Sequence, residues 1–309
     1  MTYLLYFILV LIGIIYGFFF GKFQVFPYAQ LLKIFKKLRE NTRPKELQLE
    51  AYSDVSDRVE ISCTHLNKSK TMVILAFGQA HAANSAEILY VPKQKSVYNI
   101  FNSKCYEAKD PLLGATATNE YKGSVWTRLA DKVIEEGLYE SVVIKTVAVA
   151  GTSIASWTTE GKGYGWGKQY HGNYHQRVLN AYTELKALEL EPTHICWVQG
   201  ESDTTNKTTT LEYKKRFLNI RESLRKVGMT APIYIAISSR DDKTFRLGED
   251  VLTAQKELID ECEDLYEGPN LNSIDSIDDR LIPYINLTSQ GVEKHAEAWL
   301  SILKRSERK

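Results

Sequence analysis

Short apolar runs alternate along this chain with amphipathic stretches of helical period, and that alternation restricts the fold more than any other feature. The runs are Met72 to Phe77, Ser141 to Val147, His194 to Val198 and Ile233 to Ile237. Helical patterns occupy Val125 to Glu136, Tyr174 to Leu188, Leu211 to Val227, Asp250 to Asp264 and Gln290 to Leu303. Apolar strands separated by amphipathic helices argue a βαβ succession, with a parallel sheet covered by helices on both faces. Right-handed crossovers then bring the carboxyl end of every strand to one edge. That edge is where ligands bind in open α/β sheets, so the loops that follow the runs are the candidates for chemistry.

Three such loops are unusual, and a fourth segment stands out before the last helix. Gly78-Gln79-Ala80-His81-Ala82-Ala83-Asn84 follows the first run. Ala150-Gly151-Thr152-Ser153-Ile154-Ala155-Ser156-Trp157 follows the second, and Gln199-Gly200-Glu201-Ser202-Asp203 follows the third. Tyr284-Ile285-Asn286-Leu287-Thr288-Ser289-Gln290-Gly291 precedes the last helix.

This set resembles the sialate O-acetylesterase-like branch of the SGNH (GDSL-like) hydrolases, a family of carbohydrate esterases, over roughly residues 70 to 305. The resemblance implies a three-layer α/β/α fold with a mostly parallel five-stranded sheet. The third block, Trp197 to Asp203, matches the family pattern Trp-x-Gln-Gly-Glu-x-Asp in full. The first block differs from the family's Gly-Gln-Ser-Asn, because Ala80 stands at the nucleophile position and His81 at that of the asparagine. In the second block Gly151 and Ser153 match, with Ala150 where a glycine is usual. In the last block Pro283 occupies the aspartate position and Asn286 the histidine position.

Ester cleavage needs a hydroxyl made nucleophilic by an imidazole, and a carboxylate that holds the imidazole in its working tautomer. It also needs donors where the oxyanion develops, each worth about 2.7–4 kcal/mol of barrier. The resemblance assigns those donors to the Ala80 and Gly151 backbone N–H groups and the Gln199 side chain. Nucleophile, base and orienting acid are all replaced, so impaired catalysis is expected. Gln79, His81, Ser153, Trp166, Glu201 and Asp203 are the candidate binding residues. Two readings of His81 stand: it lines the pocket, or it serves displaced catalysis with Ser153, Ser156 or Ser202. Glu201 and Asp203 are expected to fix neighbouring loops by accepting backbone hydrogen bonds, with an acid/base pair as the competing reading. His295, on the last helix, is expected to pack or face solvent.

No metal or cofactor is expected. His171 and His175 have i,i+4 spacing if helical, but they lack the further ligands a zinc site needs. Tyr164, Trp166 and Tyr170 either form a stacking platform for sugar rings or pack on the core. The net charge of +1 in 309 residues gives no electrostatic case for nucleic acid.

Thr2 to Gly21 is an uncharged apolar run of the length that crosses a bilayer as a helix. It lacks the basic n-region and cleavage site of a signal peptide. The expected division is a transmembrane anchor at 1–21, a membrane-proximal amphipathic segment at 22–45, a strand-like appendage at 46–69 and the hydrolase-like domain at 70–309. Lysines after the span favour a cytoplasmic body under the positive-inside rule, whereas the amphipathic stretch Tyr28 to Arg39 can lie along a membrane surface on either side; the expected side of the domain is periplasmic or extracellular, with the orientation left open by the sequence. Cys63 and Cys105 flank the first motif and pair only in an oxidising compartment; Cys196 reads as core. The expected partners are an acylated carbohydrate and the membrane, and no protein partner is identified. Three readings result: an impaired carbohydrate-binding domain, an active O-acetylesterase using displaced residues, and a non-catalytic subunit of an envelope polysaccharide assembly.

Overall fold

The apolar runs fold as strands whose successive side chains point to opposite layers, the two-residue period of a pleated sheet. A computed structural model describes residues 50–117, 122–161, 163–164, 171–241, 244–281 and 286–306. The apolar span at 1–21, the segment at 22–45, Trp166 and Pro283 lie outside the described residues. Leu47–Lys309 forms one compact unit.

Strands β1 (Glu60–Ile61), β2 (Thr71–Gly78), β3 (Val97–Phe101), β4 (Lys104–Glu107) and β5 (Ser141–Thr146) precede a short ribbon of β6 (Gly163–Tyr164) and β7 (His171–Gly172). β8 (His194–Val198), β9 (Ile233–Ile237) and β10 (Leu265–Asn270) complete the set. The main sheet has eight strands in the order β1-β4-β3-β5-β2-β8-β9-β10. From β3 to β10 all neighbours run parallel, while β4 and β1 add on antiparallel.

The expected five-stranded sheet is therefore corrected to eight, and mixed. The extra strands come from a β3–β4 hairpin and from β1 beyond it. Asn102 and Ser103 turn that hairpin at φ 51° and 56°, the left-handed pair that a two-residue turn requires. β10 contains Gly268-Pro269, which disguises it in the sequence. Pro269 is tolerated because β10 lies at the sheet's edge.

Helices cover both faces, as the alternation predicts. Met72, Ile74, Ala76, Cys196 and Ala236 face α1 (Val125–Glu135) and the last helix, packing on Trp126, Leu129, Trp299 and Leu303. Leu75, Phe77, Ile195, Trp197 and Ile235 face the other layer. That layer comprises α2 (His175–Ala187), the short α3 (Glu201–Thr205), α4 (Thr210–Lys226) and α5 (Glu249–Glu261); α6 (Ser289–Ser306) is the last helix. Ser124 and Thr209 cap α1 and α4 by accepting the Trp126 and Glu212 N–H groups, which satisfies donors a helix start leaves open.

The segment before β2 belongs to this unit. β1 pairs with β4, and Cys63 is disulfide-bonded to Cys105 with Cα atoms 6.1 Å apart. Linking residues 42 apart in sequence stabilises the fold by up to about 4 kcal/mol, and by about 3 kcal/mol after some loss to native-state strain, chiefly by restricting the unfolded chain. Replacing both cysteines by serine should lower the melting temperature by roughly 6–12 °C. A melting curve indifferent to both the substitution and added reductant would refute the bond's contribution.

Candidate functional site

The parallel strands place the unusual loops together at their carboxyl edge. β2 ends at Gly78, where φ is +121° and an added Cβ would meet the Val198 carbonyl oxygen at 2.2 Å. The strand therefore turns directly beside β8, and the Gln79 N–H donates to Val198 O at 2.8 Å. A 3₁₀ turn at Ala80–Ala82 follows. Ala80 opens that turn, so its N–H is among those a helix start leaves without an internal partner.

Gln79 joins the first loop to the third. Its buried amide oxygen accepts from Gly200 N at 3.3 Å and Ser202 N at 3.4 Å, at the start of α3. Gly200 is packed as tightly as Gly78, for an added Cβ would lie 1.6 Å from Ser238 O.

Gln199 and Asp203 join the third loop to the second. Gln199 is fully buried. Its amide nitrogen donates to Thr152 O at 3.3 Å and Asp203 Oδ2 at 2.5 Å, and its oxygen accepts from Tyr213 OH at 3.0 Å. Both amide hydrogens are thus directed within the protein, and the side chain braces the loops. Asp203 Oδ2 also accepts from Ile154 N at 2.7 Å, and its Oδ1 from Thr208 Oγ1 at 2.7 Å. Burial pushes the Asp203 carboxyl upward, and these donors pull the other way. Its place is that of a loop clamp accepting a backbone N–H.

Glu201 has a different partner. Its Oε1 lies 3.1 Å from His81 Nε2 and accepts from Ser238 Oγ at 2.7 Å. Arg280 stands beside the pair, with Nη1 3.4 Å from His81 Nε2. Arg280 also donates to Ile274 O at 2.5 Å and Leu271 O at 2.6 Å. Burial alone would raise the Glu201 carboxyl, yet His81, Ser238 and Arg280 together hold it at about 2. Burial lowers the Arg280 guanidinium to about 10, against the pull of Glu201. His295 lies behind His81, ring centroids 6.4 Å apart, and accepts from Trp299 Nε1 at 3.0 Å. Burial first, then the charges of His81 and Arg280, hold His295 well below its ordinary value. His81, next to Ala80 in the chain, is consequently buried against Glu201 and Arg280.

Ser153, Ser156 and Ser202 are buried as well. Gly151 takes φ +75° in the second loop. Asn286 is half-buried, and its carbonyl oxygen accepts from Leu281 N at 2.9 Å. Just beyond it the chain docks on the segment that follows the first loop, where Glu87 N donates to Leu287 O at 3.3 Å and Ser289 N to Glu87 Oε2 at 3.0 Å. His171 lies in β7 and His175 opens α2, so the two do not share a helix face. His175 instead bridges Trp157 O at 3.1 Å and Ser223 Oγ at 2.7 Å. Among the described residues no group of three His, Cys, Asp or Glu side chains could hold a metal ion.

Arg280, Ser238, Tyr213 and Gln255 are the site's supports that sequence reasoning passed over. Gln255 donates to Gln199 O at 2.8 Å and accepts from Ser238 N at 3.0 Å. Ser238-Ser239 carries the same signal as the other loops, a polar pair directly after an apolar run. The remaining supports lie on helices or a distant loop and have no spacing that marks them.

A family model described as carbohydrate esterase, sialic acid-specific acetylesterase matches residues 73–278. Among solved structures, the chain is similar to a protein from Arabidopsis thaliana at 16% identity and a TM-score of 0.56, over 75% of this chain and 98% of that one. It is also similar to NanS at 12% identity and a TM-score of 0.52, over 79% and 99% of the two chains. At such identities the likeness concerns the fold. No curated protein matches the chain.

Proposed function

The chain belongs to the sialic acid-specific acetylesterase family of carbohydrate esterases, and on that premise we propose that it binds an O-acetylated carbohydrate with its ester-cleaving machinery impaired. The carrying observation is Ala80. It opens the turn after β2, where the family resemblance places the serine, and a methyl group cannot attack an ester. The chain keeps backbone donors on that loop and at Gly151, which suit an ester carbonyl, while the base and acid positions hold Asn286 and Pro283. Displaced catalysis gains no support from His81, whose ring is buried against Glu201, or from the buried serines nearby. Trp166, in the aromatic segment after the second loop, serves as a stacking surface for the sugar.

In this reading the apolar run Thr2 to Gly21 anchors the protein in a membrane. The Cys63–Cys105 pairing supports a domain on the oxidising, periplasmic or extracellular side.

The full-length protein should release p-nitrophenol from its acetate ester no faster than the same protein denatured. By calorimetry it should prefer an O-acetylated sialoside over the de-acetylated one. Clear turnover would refute the impairment, and equal affinity for both sugars would refute acetyl recognition.

A further inference from the structure

The first loop continues into a segment that the reading above does not use. Ile88, Leu89 and Val91 are 50%, 52% and 66% exposed, and Lys93 and Lys95 beyond them are exposed too. Scattered apolar residues at a surface need no explanation. Here three of four consecutive positions are apolar and exposed on a backbone pinned from beneath. Arg128 Nη2 donates to Ile88 O at 3.0 Å. Tyr90 N donates to Asp110 Oδ2 at 3.0 Å, and Tyr90 O accepts from Asp110 N at 2.9 Å. The Tyr90 hydroxyl donates to Asp131 Oδ2 at 2.7 Å, and the same carboxylate accepts from Lys93 N at 2.8 Å and Gln94 N at 2.9 Å. Asp110, Arg128 and Asp131 are themselves buried. Three buried charged side chains thus hold a fixed apolar ridge in contact with water.

The placement of the ridge indicates what covers it. The chain enters the domain close by: Tyr52 N donates to Ala115 O at 2.8 Å, and Gly114 N to Tyr52 O at 2.9 Å. Asn84 N, a few residues before the ridge, donates to the adjoining Thr116 O at 3.0 Å. Ala86 and Gly123 exchange backbone bonds of 2.8 and 3.0 Å, which brings exposed Lys122 beside the ridge. The first described residues therefore join the domain beside the backbone that carries the ridge. Aliphatic side chains flanked by lysines suit the headgroup region of an anionic bilayer. A tethered domain needs only weak contacts to take up one orientation there, because the tether supplies a high local concentration.

We propose that Ile88, Leu89 and Val91 insert into the membrane interface while Lys93, Lys95 and Lys122 face anionic headgroups. The proposal rests on the membrane-anchored reading. It is tested on the full chain, carrying Cys262→Ser, reconstituted in vesicles of three parts phosphatidylcholine to one part phosphatidylglycerol. A nitroxide is attached at Leu89→Cys in one sample and at Leu211→Cys in another; Leu211 is 77% exposed on α4. The ratio of collisions with oxygen to collisions with a water-soluble nickel chelate should be several-fold higher at 89 than at 211. Equal ratios in vesicle-bound protein would overturn the ridge while leaving the anchor intact. Failure to float with the vesicles would overturn both. Spin–spin broadening at 89 would place a second copy on the ridge and likewise overturn the proposal.

Discussion

Joint replacement Ala80→Ser, Pro283→Asp and Asn286→His should raise esterase activity by at least the order of 10³-fold over the natural chain, because triad members act as a unit. Ala80→Ser alone should gain almost nothing. The added hydroxyl would find no accepting imidazole, since His81 Nε2 faces Glu201 and Arg280 and Asn286 is no base near neutral pH. The double replacement at 283 and 286 should be equally silent without a nucleophile. The gain therefore appears only in the triple variant, and that non-additivity is the signature to measure. The assay is initial-rate hydrolysis of p-nitrophenyl acetate and of an O-acetylated sialoside, with all four proteins compared at equal folded fraction. A triple variant that binds the sialoside but stays inactive would show that the oxyanion donors have been lost along with the triad.

The second large effect concerns stability. Glu201→Gln should lower unfolding free energy by about 3–5 kcal/mol, since removing one partner of a buried pair leaves the other charge uncompensated. That corresponds to a fall in melting temperature of roughly 6–20 °C. Arg280 would keep its bonds to Ile274 O and Leu271 O, yet its charge would lose the carboxylate that offsets its burial. Arg280→Met should also destabilise, and the double variant should lose less than the sum of the two singles. Additive losses would show that the two groups do not interact. The pH dependence has a definite sign. The Glu201 carboxyl is held at about 2 in the fold against its ordinary 4.5, so its contribution is complete above about pH 4.5 and is lost as pH falls toward 2. The stability gap between natural protein and Glu201→Gln should accordingly begin to close as pH falls below about 4.5.

How far the sequence discloses this molecule depends on where the organising forces act. The runs 194–198 and 233–237 coincide residue for residue with β8 and β9, because burial on both faces makes such strands continuously apolar. The helix at 125–136 is legible for the same reason, through its apolar stripe and the Ser124 cap. β3 and β4 escape notice because their turn, Asn102-Ser103, lacks the glycine that usually advertises a hairpin. β10 escapes because Gly268-Pro269 interrupts it. Within the site, polar loops after apolar strands are visible in one dimension. The contact of Glu201 with His81, with Arg280 beside them, is not, because a contact between separate loops leaves no spacing pattern. Acceptance of a backbone N–H is foreseeable for both carboxylates, yet the structure shows it only at Asp203; Glu201 is coupled to an imidazole instead.

The tight seats of Gly78 and Gly200 have a bearing on descent. A side chain at either position would collide with a neighbouring strand's main chain, and Gln199 and Asp203 hold two loops in register. Mutation at these places is penalised through folding, whether or not the protein ever cleaves an ester. The Gln-Gly-Glu-Ser-Asp signature is thus held in place by packing, independently of the reaction it usually announces.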